Sequence, residues 1–82
     1  GEAELLRNAY RNSLKLAAEN NIYSIAFPAI STGIYGYPKD LAANIAVQTV
    51  REFLKNNDME VIFVTFGNED EKLYRYVLNQ YN

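Results

Sequence analysis

The sequence predicts an α/β fold whose elements follow the order αβαβα. Three segments with helical spacing of apolar residues alternate with two short apolar segments rich in β-branched and aromatic residues. Two strands that are joined through a long helix are expected to be parallel. The 82 residues are enough for one small domain.

The first helix is predicted over residues 3–19. Its evidence is a stripe of apolar side chains at spacings of three and four, formed by Leu6, Tyr10, Leu14 and Ala17. Asn20 and Asn21 are expected to end the helix, because Asn tolerates the left-handed conformation of a helix terminus.

Both strands are predicted from short apolar runs. The first covers residues 22–27 and the second covers residues 61–66, and neither alternates strictly between apolar and polar residues. This pattern is typical of parallel strands that are buried on both faces. Pro28 is expected to end the first strand, since proline cannot donate a hydrogen bond to a neighbouring strand.

The second and third helices have recognisable starts. Pro38 suits the first turn of a helix that runs to about residue 55. The third helix is predicted over residues 69–80, and Asn68 with Glu71 resembles a capping box. The apolar stripes are Ala42, Ala46, Val50 and Phe53 on the second helix, and Leu73, Val77 and Tyr81 on the third.

Composition excludes several kinds of chemistry. The chain contains no Cys and no His, so a disulfide framework, a thiol nucleophile and a zinc centre are not expected. A net charge of -2 gives no general attraction to DNA or to an anionic membrane. We expect a cytoplasmic protein that needs neither a metal nor a cofactor.

The segment between the first strand and the second helix is the candidate ligand loop. It reads Pro-Ala-Ile-Ser-Thr-Gly-Ile-Tyr-Gly-Tyr-Pro over residues 28–38. In open α/β sheets, ligands bind at the carboxyl ends of strands. Gly33 and Gly36 allow close approach of the backbone, and successive N–H groups before a helix form an anion site. From spacing alone, an ordinary strand–helix connection remains the alternative, because the run matches neither the dinucleotide fingerprint nor the P-loop.

Residues 26–38 closely resemble the second ligand loop of macro domains, the α/β modules that bind ADP-ribose. The helix over residues 5–18 and the strand over residues 61–66, with its acidic helix start, are also similar to that family. The resemblance covers essentially the whole chain. It implies that residues 1–82 form a partial macro domain, the C-terminal half of a three-layer α/β/α fold.

The resemblance also implies site residues. Backbone N–H groups from Ser31 through Gly36 would hold the diphosphate of ADP-ribose, and Ile34 and Tyr35 would border the proximal ribose. The complete loop set is Ser31, Thr32, Gly33, Ile34, Tyr35 and Gly36. Phe66 would flank the adenosine end, with a core aromatic at a strand end as the alternative. The catalytic aspartate of hydrolytic members lies in a first loop that has no counterpart here, so the catalytic residues stay unassigned.

Three functions follow from these observations. The complete domain is either a hydrolase that removes ADP-ribose or acyl groups from ADP-ribose derivatives, or a reader that binds ADP-ribose without turnover. The third alternative is a half domain that associates with itself. The expected partners are therefore an ADP-ribose derivative, and either the N-terminal half of the domain or a second copy. Because two apolar strands do not make a self-sufficient parallel sheet, the chain alone is not expected to be a stable monomer.

Overall fold

The computed structural model describes residues 1–28 and 38–81, and these ranges contain three helices and two strands in the predicted order. The predicted loop over residues 29–37 lies outside the described residues. The elements are α1 (Glu2–Glu19), β1 (Ser24–Pro28), α2 (Lys39–Leu54), β2 (Glu60–Val64) and α3 (Asn68–Gln80).

The two strands form a parallel pair, as predicted. Ser24 lies opposite Glu60 and Pro28 lies opposite Val64, so the strands match along their full length. The N–H of Glu60 donates to the carbonyl oxygen of Tyr23 over 2.8 Å. This bond determines which residues of each strand direct their backbone N–H and C=O groups toward the other strand, because alternate residues of a parallel strand bond to the same neighbour.

The strand boundaries differ from the prediction. β1 begins at Ser24 rather than at residue 22, and β2 covers Glu60–Val64 rather than residues 61–66. Pro28 was expected to end β1, yet it is the last paired residue of the strand. The alternation of the hydrogen bonds explains why a proline can occupy this position. The nitrogen of Pro28 faces away from β2, so the pairing needs no N–H there.

All three helices cover the same face of the two strands. Ile25, Phe27, Val61 and Phe63 point toward the helices and contact their buried side chains. The opposite face carries Ala26, Ile62 and Val64, and the last two are 46% and 42% exposed. Within residues 1–28 and 38–81, one face of the strands is covered and the other is open, so these residues supply one of the two covering layers that the prediction requires.

The core lies between the helix layer and the strands. On α1, Tyr10, Leu14 and Ala17 are buried as predicted. Burying a leucine as completely as Leu14 stabilises a fold by roughly 1.5–3 kcal/mol. The central helix α2 contacts both α1 and α3. Its buried residues therefore extend beyond one stripe: Ala42, Ala43, Ile45, Ala46, Val47, Thr49 and Val50.

Four aromatic side chains form a row through this core. The ring of Tyr10 meets Phe27 edge-on at 5.0 Å, and the Phe27 ring lies 6.4 Å from that of Phe63. Phe63 in turn lies 5.2 Å from Tyr74 on α3. Such contacts add to the hydrophobic burial of each ring. The row therefore links α1, both strands and α3.

Two helix ends follow local backbone rules. Asn21 has a φ of 57°, the left-handed conformation expected after α1. The capping box predicted at α3 is wrong. Gly67 is the residue before the helix, Asn68 is its first residue, and the N–H of Glu71 donates to the Gly67 carbonyl over 3.0 Å.

No helix in the described ranges combines the length and apolarity needed to cross a membrane.

Candidate functional site

The candidate site lies at the carboxyl edge of the strand pair. Because β1 and β2 are parallel and Pro28 pairs with Val64, both strands end at the same edge. The predicted ligand loop follows Pro28 in the sequence, and Phe66 follows β2. The helices that come next, α2 and α3, begin soon after. This edge is the place where α/β sheets usually bind ligands.

The predicted loop residues lie outside the described part of the chain. They are Ser31, Thr32, Gly33, Ile34, Tyr35 and Gly36. The structure places the residues on either side of them. Pro28 is held in the parallel ladder, and Pro38 precedes α2 with an extended conformation (φ -61°, ψ 138°). Pro38 thus stands one position earlier than predicted, as the residue before the helix rather than a residue of its first turn.

The first turn of α2 carries the positive end of the helix dipole. The N–H of Ala42 donates to the Pro38 carbonyl over 3.0 Å, which closes this turn. No side chain caps the helix start. Asp40 is the acidic residue of the turn. Backbone N–H groups at such a terminus are suited to an anion.

The first turn of α3 has a different electrostatic character. Glu69, Asp70 and Glu71 all lie in it, and carboxylates stabilise a helix start through the dipole. An anionic ligand would meet three negative charges there. Of the two helix starts that follow the strands, α2 is therefore the better one for a phosphate.

An ion pair connects the two helix starts. The Nζ atom of Lys39 lies 3.6 Å from an Oδ1 atom of Asp70, whose side chain is 25% exposed. Sequence reasoning missed this contact. The partners are far apart in the sequence, and no local spacing pairs residues on different helices. The ion pair joins the first residue of α2 to the first turn of α3.

Phe66 is exposed at this edge. Its side chain is 75% accessible, the largest exposure among the large apolar residues that are described as exposed. A buried strand-end aromatic, which was one of its two predicted roles, does not fit this exposure. An aromatic ring in this position is available for contact with a flat apolar group of a ligand.

The buried tyrosines offer no base to the site. Burial raises the pKa of Tyr10, and the neighbouring Tyr74 hydroxyl raises it further. Burial also raises the pKa of Tyr74. Both phenols therefore stay protonated at neutral pH. Both side chains are packing residues of the core, with exposures of 2% and 7%.

Acidic residues do not gather into a metal site in the described part of the chain, where no group of three potential ligands is found. Asp70 is engaged with Lys39, and Glu71 forms an ion pair with Arg75 over 2.8 Å. Both carboxylates are thus engaged in ion pairs within the chain.

These features define the class of the protein: an α/β domain with parallel strands covered by helices. More narrowly, the chain belongs to the macro domain family. The family model described as Macro domain matches residues 1–46, which is more than half of the chain. The predicted resemblance to the C-terminal half of a macro domain is confirmed.

Curated relatives agree with this membership. An O-acetyl-ADP-ribose deacetylase of Klebsiella pneumoniae is 58% identical over 82 residues, which cover 98% of this chain and 47% of that protein. A macro domain-containing protein of Chlorobaculum tepidum is 55% identical over 80 residues, covering 95% of this chain and 46% of that protein. The chain spans about half the length of the curated relatives it matches.

Solved structures give the same result. A macrodomain of Oceanobacillus iheyensis with MES bound superposes with a TM-score of 0.88 and 45% identity. The match covers 96% of this chain and 42% of that one. The structure of the same protein with ADP, and that of a mutant form with ADPR, match this chain with the same TM-score and identity. The predicted α/β class is therefore confirmed.

Proposed function

We propose that this chain supplies the diphosphate-binding loop of a macro domain that binds ADP-ribose. The observation that carries the proposal is the position of residues 31–36. In the sequence they follow β1, whose end lies at the carboxyl edge of the strand pair, and they precede α2. The ADPR complex of the Oceanobacillus iheyensis relative supports the identity of the ligand.

The proposed grip uses the backbone. N–H groups of Ser31 through Gly36 donate to diphosphate oxygens, and the start of α2 adds the positive end of its dipole. Gly33 leaves room for the phosphate because it has no side chain. A chain with a net charge of -2 can hold an anion in this way without a cluster of Lys and Arg.

Ile34, Tyr35 and Phe66 complete the proposed ligand contacts. Ile34 and Tyr35 border the proximal ribose, and Phe66 flanks the adenosine end. The exposure of the Phe66 ring, which leaves it free to cover an aromatic base, supports this role.

We further propose that the complete domain is a hydrolase that removes acyl groups or ADP-ribose from ADP-ribose derivatives. Relatives named O-acetyl-ADP-ribose deacetylase support this reaction type. The chain itself has no His, and burial keeps Tyr10 and Tyr74 protonated. Its contribution is to bind and orient the substrate, which converts binding energy into correct placement of the scissile bond. The groups that perform the chemistry then lie in the part of the family fold that this chain does not cover.

The test uses a chimera in which these 82 residues replace the matched part of the Klebsiella pneumoniae relative. The substrate is O-acetyl-ADP-ribose, the measured product is acetate, and calorimetry gives the affinity for ADP-ribose. Binding with acetate release is the expected result. Binding of ADP-ribose without any release of acetate would contradict the hydrolase proposal and favour a reader that binds ADP-ribose without turnover.

The loop itself is tested by Gly33→Val in this chimera. A branched side chain would occupy the space of the phosphate, so the affinity for ADP-ribose is expected to fall about tenfold or more. An unchanged melting temperature serves as the control for folding. Unchanged affinity in a folded variant would remove the loop from the site.

The remaining partner and location hypotheses stay predictions. We propose no metal requirement, so adding a chelator to the calorimetric titration should leave the affinity unchanged. We also propose a cytoplasmic location and no DNA binding, and the support for both is the composition and the net charge of -2.

A further inference from the structure

One ion pair in the described part of the chain joins two different helices. The Nζ atom of Lys39, the first residue of α2, lies 3.6 Å from an Oδ1 atom of Asp70 in the first turn of α3. The other ion pairs between described residues each lie within a single helix, α1 or α3. Lys39 and Asp70 therefore form a tertiary contact, and they form it where both helices begin.

Lys39 does not stabilise the start of its own helix. A cation in the first turn of a helix faces the positive end of the helix dipole, which is unfavourable. Asp70, in contrast, lies where a carboxylate stabilises α3. Its side chain is 25% exposed, so salt screens its attraction to Lys39 less than it screens a pair of fully exposed groups. The unfavourable position of Lys39 in α2 is thus offset across the interface with α3.

The ion pair lies at one end of a regular interface between α2 and α3. Ala43 and Val47 of α2 cluster with Tyr74 and Val77 of α3. On both helices these apolar side chains follow the ion pair at steps of three or four residues, so each set lies along one face of its helix. The ion pair extends this interface by one turn, to the edge where both helices begin.

The two helix starts lie beside different parts of the proposed ligand. Under the function proposed above, the start of α2 contributes its dipole to the diphosphate. Phe66, which flanks the adenine in that proposal, precedes Asp70 by four positions. A ligand that joins a diphosphate to an adenosine can contact both places only when their separation is correct. A protein that holds this separation before binding loses less entropy when the ligand binds.

We propose that Lys39 and Asp70 are positioning residues for ADP-ribose. Their ion pair fixes the separation between the start of α2 and the segment that follows β2, and so the separation between the diphosphate and adenine contacts. This inference rests on the proposed function and adds a selectivity to it. The ion pair favours ligands that span both contacts over adenosine, which reaches only one of them.

A direct role of Lys39 makes a different prediction. If its ammonium group acted on the diphosphate itself, loss of the Asp70 carboxylate would remove a competing negative charge and strengthen the binding of the anion. If the ion pair sets the separation of the two helix starts, loss of either partner weakens binding to the same extent. Variants of the two residues therefore distinguish the two roles.

The experiment is a double-mutant cycle in the chimera, with Lys39→Met, Asp70→Asn and the combined variant. Calorimetry measures the dissociation constant of ADP-ribose. Each single variant should raise it about two- to fivefold, and the combined variant should raise it no further, because the ion pair is already lost in each single variant. Lys39→Arg keeps the cation and should keep the affinity. Additive effects, unchanged affinities in all variants, or tighter binding by Asp70→Asn would overturn the proposal.

A matched variant and a smaller ligand separate positioning from folding. Glu71→Gln removes a carboxylate from the same turn of α3 and breaks an ion pair within that helix, and it should leave the affinity for ADP-ribose unchanged. Adenosine, titrated by NMR, should bind all variants equally. Equal losses of affinity for adenosine and ADP-ribose would contradict the positioning role. A parent chimera that does not bind ADP-ribose would contradict the proposed function and this inference with it, whereas a parent that binds and variants that act additively would contradict the inference alone.

Discussion

Phe66 illustrates what an exposed side chain contributes at the residue scale. Its position after β2 predicted either a core aromatic or a ligand contact, and its 75% exposure does not fit the core. Sequence could not make this distinction, because β2 ends two residues before Phe66 rather than at it. The burial of a residue after a strand end depends on where the chain turns.

Phe66→Ala is expected to weaken ADP-ribose binding by the chimera about tenfold, since stacking of a base on an aromatic side chain contributes roughly 1–3 kcal/mol. Its effect on stability should be small, because the ring is exposed. Tyr76→Ala is the control, since Tyr76 is an aromatic of α3 with 63% exposure. Calorimetry and thermal melting of both variants check this. A large fall in the melting temperature with unchanged affinity for ADP-ribose would instead indicate that Phe66 is a core residue.

At the element scale, the sequence predicted every helix and strand of the described ranges but not all of their ends. The long apolar periods of α1 and α2 determined the type of element. The starts of β1 and α3 shifted because pairing and backbone geometry decide them. Pro28 stays in β1 because its nitrogen faces the free edge, and Gly67 rather than Asn68 precedes α3.

Asn68→Ala tests the corrected start of α3. Asn68 is the first residue of the helix and its side chain makes no capping hydrogen bond. The free energy of unfolding of the chimera should therefore fall by less than about 0.5 kcal/mol, whereas loss of a true N-cap costs about 0.5–2 kcal/mol. Asn8→Ala, an exposed Asn within α1, reports the gain in helix propensity alone. Urea unfolding of the two variants measures both terms. A loss above 1 kcal/mol at Asn68 would restore the capping box.

The aromatic row predicts how stability depends on pH. Burial raises the pKa of Tyr10 and Tyr74 in the folded state above the usual value near 10. The contribution of these two tyrosines to the free energy of unfolding is therefore fully present below about pH 10. It decreases as the pH rises above about 10, because the unfolded chain releases these protons first. Urea unfolding of the chimera between pH 8 and 11 should show a decline that begins near pH 10. Tyr10→Phe should make the decline shallower. The same decline in the variant would show that other groups cause it.

At the scale of the whole molecule, tertiary features were the least predictable. Apolar strands indicated burial on both faces, yet Ile62 and Val64 are exposed and the helices lie on the other face. The ion pair between Lys39 and Asp70 also joins residues that are distant in sequence. The apolar composition of a strand predicts that its side chains are buried, but it does not predict which segment of the protein buries them.

This arrangement bears on the predicted instability of the isolated chain. An open sheet face and an unpaired strand edge are surfaces that favour association. The expectation that the chain alone is not a stable monomer remains a prediction.

The central claim is that residues 31–36 hold the diphosphate of ADP-ribose. The most direct test labels only the 82-residue chain with ¹⁵N and assembles it with the unlabelled part of the Klebsiella pneumoniae relative that this chain does not match. The amide resonances of the labelled chain are then followed during titration with ADP-ribose. The largest shifts are predicted for the amides of Ser31 through Gly36, because hydrogen bonds to phosphate change the environment of each donor. Saturation with ADP-ribose while these amides remain unshifted would contradict the claim.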